Sequence, residues 1–139
     1  MRIVVDTNVF ISGLLWQGTA ATVMEHVLNQ ETVCLTADTL RELEEVLVYE
    51  KFHDRIAKLS FQITEFIDNL TDRALVVIAP DIEVDIIKDD PSDNKFLSCA
   101  RATGADYIIS GDRHLLKLRV FEGIPIIAPS TFLRIINAL

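Results

Sequence analysis

Residues 90–112 read DPSDNKFLSCARATGADYIISGD. Phe96, Leu97 and Ala100 lie three, four and seven residues after Asp93, the spacing of one helix face. Tyr107-Ile108-Ile109 follows as an apolar run without alternation, as a strand buried on both faces requires. Asp112 comes just past that run, after Ser110 and Gly111. The segment therefore predicts a helix over 93–102, a buried strand, and an acid at the strand's carboxyl end. The helix start is also written: Asp90 suits an N-cap, Pro91 the first turn, and Asp93 the N3 position, where a carboxylate complements the helix dipole.

The same alternation extends outward. Ile3-Val4-Val5, Val33-Cys34-Leu35, Leu75 to Ala79 and Ile126-Ile127-Ala128 read as further buried strands. Helical spacing recurs over Ala21–Leu28, Leu40–Val48 and Ile56–Leu70, and Thr131–Leu139 reads as a closing helix. Strands alternating with helices predict one α/β domain over residues 1–139. Its expected form is a three-layer α/β/α sandwich with a central, mainly parallel sheet of about five strands. Ligands of such sheets bind beyond the carboxyl ends of the strands. Asp6-Thr7-Asn8 and Ser110-Gly111-Asp112 stand there.

Composition narrows the class. The chain has 139 residues, half of them hydrophobic, which excludes intrinsic disorder. Thirteen Lys and Arg against 21 Asp and Glu give a net charge of −8. That balance disfavours tight metal-free binding to a nucleic acid backbone. Cys34 and Cys99 lie in apolar runs and read as reduced core thiols, which suits a cytoplasmic protein. The longest apolar runs fall far short of a membrane span, and the amino terminus lacks a signal-peptide layout.

Each acidic position has an ordinary structural reading. Asp6 can cap a helix and Asp112 can close a turn. Glu42, Glu44 and Glu45 can form a solvated face, and periodicity does not choose among them. Asp93, however, shares its face with the core residues of its helix, so it points toward the sheet. Asp6, Asp93 and Asp112 then converge on one crevice, where like charges repel. A divalent cation with oxygen ligands resolves that conflict and brings phosphoryl chemistry with it.

At these residues the sequence resembles the PIN-domain family, in particular its toxin-like branch related to VapC ribonucleases. The matching pieces are VVDTNVFISGLL at 4–15, TADTLRELEEVL at 36–47, the 90–112 segment, and the carboxyl-terminal strand and helix. The resemblance implies a PIN-like fold and a Mg²⁺- or Mn²⁺-dependent ribonuclease. It places the metal and catalytic carboxylates at Asp6, Glu42, Asp93 and Asp112, with Asn8, Ser110 and Asp90 in support. It implies hydrolysis of RNA phosphodiester bonds to 5′-phosphate and 3′-hydroxyl ends, an antitoxin protein that covers the crevice, and a homodimer. Tyr49 to Asp85 carries no family motif.

Other readings compete. A non-catalytic PIN-like module binding RNA or a protein is the nearest alternative. A phosphoacceptor receiver domain needs an acidic pair after the first strand and a lysine after a later one, and neither is present here. His26, His53 and His114 are too scattered for a zinc motif. Gly13 and Gly18 fit no phosphate loop. Trp16 reads as a loop or interface residue. Lys51, Arg55 and Lys58 form one basic cluster and Arg113, Lys117 and Arg119 another, each readable as a solvated face. Weak RNA binding without metal, strengthened by Mg²⁺, is the expectation.

Overall fold

The computed structural model describes residues 1–78, 86–87 and 91–139. Among these described residues the six strands are β1 (Arg2–Val5), β2 (Thr32–Thr36), β3 (Leu75–Val77), β4 (Tyr107–Ile109), β5 (Val120–Phe121) and β6 (Ile124–Ile127). They form one sheet in the order β3-β2-β1-β4-β6-β5. The pairs β1·β2, β1·β4, β2·β3 and β4·β6 are parallel, and β5 runs antiparallel to β6. The sheet thus has one strand more than the sequence predicts. β5 is two residues long, too short to carry a pattern, and turns into β6 through Glu122 and Gly123 at positive φ.

Alternate residues of the buried strands face opposite layers. Ile3, Val5, Val33, Leu35 and Ile109 belong to one core with α1 (Thr7–Leu15), α2 (Thr19–Gln30), α3 (Ala37–Leu47), α5 (Ile63–Arg73) and α8 (Pro129–Asn137). Val4, Cys34, Ile108 and Ile126 belong to a second core with α6 (Asn94–Thr103) and α7 (Arg113–Leu116). This is the α/β/α sandwich. Each fully buried aliphatic side chain in these layers contributes about 1.5–3 kcal/mol.

The local signals act as physics requires. Asp6 caps α1, and Thr36 with Thr39 forms a reciprocal capping box at α3. Gly104 closes α6 in the left-handed conformation at φ 65°, where a side chain would be strained. Gly13 lets α1 lie directly on α2: a Cβ there would stand 2.4 Å from Met24 Cγ and 2.7 Å from Ala20 O.

Three boundaries depart from the sequence reading. The helix expected over Ile56–Leu70 is two helices, α4 (His53–Ala57) and α5. Ile56, Leu59, Ile63, Phe66 and Ile67 nevertheless all pack on the same core, so apolar spacing runs unbroken across a break in the backbone. The strand expected over Leu75–Ala79 ends at Val77, and Ala79 lies outside the described residues. Asp93 is the third residue of a helical segment that starts at Pro91, as expected, but that first turn is 3₁₀ and not α. It ends that turn, Pro91–Asp93, and immediately precedes α6. Asp90 lies outside the described residues.

Candidate active site

Strand order places the site. From β1 the chain moves outward to β2 and β3, then returns to the other side of β1 as β4. The order reverses between β1 and β4, where parallel sheets open a crevice past their carboxyl ends. Val5 pairs with Ile109, so Asp6 and Ser110 leave the sheet side by side. The Asp6 backbone N–H donates to Ile109 O at 3.0 Å.

Asp6 is 4% exposed, and its two oxygens are engaged differently. Oδ1 accepts from the Val9 N–H at 2.9 Å, the helix cap. Oδ2 accepts from the Ser110 hydroxyl. That hydroxyl also accepts from the Asp112 N–H at 2.9 Å. Asp112 in turn caps α7, with Oδ1 accepting from His114 N–H at 2.7 Å. One buried serine thus ties the first carboxylate to the backbone of the last. Burial pushes the Asp6 carboxyl above the ordinary Asp value, and the Asp112 charge adds to this. Ser110 and the Val9 and Gly111 amides oppose it.

Glu42 reaches the same cleft from α3. Its Oε2 accepts from the Thr7 hydroxyl, and its Oε1 lies 3.3 Å from Lys95 Nζ on α6. Glu44 and Glu45 are exposed, so of the three glutamates Glu42 is the one that lines the cleft. Asp93 enters from the start of α6. Asn94 fixes that start: its amide accepts from the Ile86 and Ile87 N–H groups and donates to Ile87 O and Pro91 O.

Asp6, Glu42, Asp93 and Asp112 line one cleft of about 140 Å³, together with Asn8, Thr7, Ser92, Val46 and Phe96. Asn8 is exposed at its mouth. Ser110 lies beneath, 0% exposed. The sequence reading missed Thr7, Asn94 and Lys95. Thr7 and Lys95 meet Glu42 across 35 and 53 residues, a relation that no local pattern displays. The adjacency of Lys95 to the Asp93 helix start was the one available signal.

These acids offer only oxygen donors, the set that suits a hard divalent cation such as Mg²⁺ or Mn²⁺. Among the described residues, no group of three or more His, Cys, Asp or Glu side chains is arranged to hold an ion as it stands. The pairing of Glu42 with Lys95 and Thr7 keeps both of its oxygens engaged.

Residues 2–114 match the family described as PIN domain. The chain belongs to the PIN domain family. Nuclease activity is general in this family. Among solved structures, the chain is similar to a crystal structure of VapBC2 from Rickettsia felis bound to a DNA fragment from their promoter. The TM-score is 0.57 at 13% identity, covering 92% of this chain and 98% of that one. It is also similar to FitAcB from Neisseria gonorrhoeae, with a TM-score of 0.54 at 16% identity over 92% and 98% of the two chains. At such identities the likeness establishes the fold. No curated protein matches the chain. Among the described residues of this PIN domain, no helix is long and apolar enough to cross a membrane.

Proposed function

We infer that this PIN domain is a divalent-metal-dependent ribonuclease that acts as the toxin of a toxin–antitoxin pair. The observation that carries the reading is the convergence of Asp6, Glu42, Asp93 and Asp112 on one cleft at the sheet's switch point. These four would hold Mg²⁺ or Mn²⁺. When bound, the ion neutralises the cleft, makes water more acidic and stabilises charge on phosphoryl oxygens.

The chain's own residues do the rest. Ser110 orients Asp6 by donating to Oδ2, leaving Oδ1 to the cap. Thr7 fixes the rotamer of Glu42. With Lys95 turned away, Glu42 would serve as a ligand of the ion or as the base that orients the attacking water. Asn8, at the mouth, offers an amide to the scissile phosphate. Lys95 supplies the cleft's fixed positive charge and can turn from Glu42 to a phosphate oxygen. The likeness to VapBC2 and FitAcB supports a protein partner; an acidic cleft calls for a basic side chain on that partner. The homodimer and the cytoplasmic location belong to the same reading.

The test is incubation of the purified protein with single-stranded and structured RNAs in Mn²⁺, Mg²⁺ or chelator, beside Asp93→Asn. Metal-dependent cleavage, reduced at least a hundredfold by the substitution, is the expected result. Cleavage that survives in chelator or in Asp93→Asn would refute it. A second reading, a non-catalytic PIN module, draws on the Lys95–Glu42 pair, which already neutralises one carboxylate. Calorimetric titration separates the two, because only a nuclease site binds Mn²⁺ stoichiometrically and loses that binding in Asp93→Asn.

A further inference from the structure

An aromatic and cationic patch lies where α1 and α3 end. Trp16 follows α1 directly, and Tyr49 stands two residues past α3. The Trp16 ring meets Phe52 edge-on at 5.9 Å, and Tyr49 stacks on Phe52 at 6.5 Å with an interplanar angle of 6°. The Arg55 guanidinium lies 4.7 Å from the Trp16 centroid. Lys51 Nζ lies 5.1 Å from the Phe52 ring and 6.0 Å from the Tyr49 ring. Trp16 and Tyr49 are 39% and 49% exposed.

Arg41, Lys95 and Arg101 hold Asp38, Glu42 and Glu122. Lys51 and Arg55, like most other described Lys and Arg side chains, pair with no described carboxylate; what sets them apart is that both lie on the rings of one aromatic cluster. The acidic cleft repels a phosphate backbone, so a polyanionic substrate needs a hold elsewhere. The patch is within reach. Glu42 and Val46 lie one turn apart on α3, Val46 lines the cleft, and Tyr49 stands two residues past the end of that helix. From Glu42 to the end of α3 at Leu47 is about 8 Å along the helix axis.

We propose that Trp16, Tyr49 and Phe52, with Lys51 and Arg55, form a stacking platform for single-stranded nucleic acid running out of the acidic cleft. Unpaired bases offer π faces to the rings, and the backbone offers phosphates to the two cations, so one ligand satisfies both halves of the patch. A duplex, with its bases stacked internally, satisfies only the cations. The proposal rests on the nuclease reading for the identity of the strand's other end, but not for its own test.

Trp16 is the chain's single tryptophan, so its fluorescence reports on the patch alone. The wild-type protein in chelator is titrated with a 12-nucleotide single-stranded RNA and with a duplex of equal length. Saturable quenching by the single strand, and much less by the duplex, is expected. Anisotropy of the labelled strand should show Tyr49→Ala weakening binding about 5- to 150-fold, the range for losing one base-stacking contact, and Arg55→Ala weakening it and flattening its salt dependence. Unchanged melting temperatures confirm that these exposed substitutions leave the fold intact. Unquenched Trp16 with unaltered affinity in both variants would overturn the proposal and assign the patch to a protein partner. The readings fail separately: metal-dependent cleavage without Trp16 quenching removes the platform alone, and quenching without cleavage removes the nuclease alone.

Discussion

Removing the charge of Asp6 should stabilise the metal-free protein. The carboxylate is 4% exposed, and burial is the largest influence on its ionisation, with the Asp112 charge acting in the same direction. In Asp6→Asn the amide oxygen can keep the cap from Val9 N–H, and the amide nitrogen can donate to the Ser110 hydroxyl. The buried Ser110 hydroxyl proton loses its carboxylate acceptor, but the Val9 and Ser110 contacts themselves are kept while the buried charge goes. Their weakening from charge-assisted to neutral offsets part of the gain. The net gain is about 1–2 kcal/mol, or roughly 3–8 °C in a domain of this size. The assay is thermal unfolding in chelator. The sign with pH follows from the raised ionisation of Asp6. Between its folded value and the ordinary value of 3.8, the native state binds a proton that the unfolded state does not. Wild-type stability therefore rises as pH falls through that window, and the gap between the two proteins closes toward its lower end. Saturating Mn²⁺ should raise the wild-type midpoint and leave Asp6→Asn unmoved, since a ligand at a hundred times its Kd adds about 2.7 kcal/mol. A variant that melts below wild type in chelator would refute the argument, because the carboxylate would then be a net stabiliser.

Other outcomes follow from the same geometry. Asn94→Ala removes four hydrogen bonds and should cost about 2–4 kcal/mol. Faster amide exchange at Ile86 and Ile87 would check it. Lys95→Met removes the cation competing for Glu42 and should tighten Mn²⁺ binding about fivefold by calorimetry, which corresponds to ~1 kcal/mol for a partly exposed ion pair. Lys95→Arg should not. Burial pushes the Cys99 thiol up to about 12, so maleimide at pH 8 should label it only as fast as the protein unfolds. Labelling within the mixing time would contradict its burial.

The layers and the site end of the sheet were legible because their cause is local. β1, β2 and β4 are buried on both faces and read as unbroken apolar runs. The break between α4 and α5 was not legible, since the residues on both sides of it serve one core and keep one spacing. Asp6 and Asp112 could be placed because each does a capping job that its neighbours display. Thr7 and Lys95 could not, because each acts through Glu42, a residue distant in sequence. The 3₁₀ turn at Asp93 depends on the four bonds of Asn94, two of them from residues 86 and 87.

The Ser110 hydroxyl closes on a carboxylate 104 residues earlier in the chain. A growing polypeptide at 5–20 residues per second needs roughly 5–20 s to travel between them. During that interval β1 has neither its β4 neighbour nor the serine that orients its acid. The acidic cleft therefore has no precursor on the ribosome: it comes into being late, in a single event, when the returning strand docks. On the proposed ribonuclease reading, a nascent chain gains the means to cut RNA only at that moment, and a partner that caps the cleft would have the whole of that delay in which to arrive.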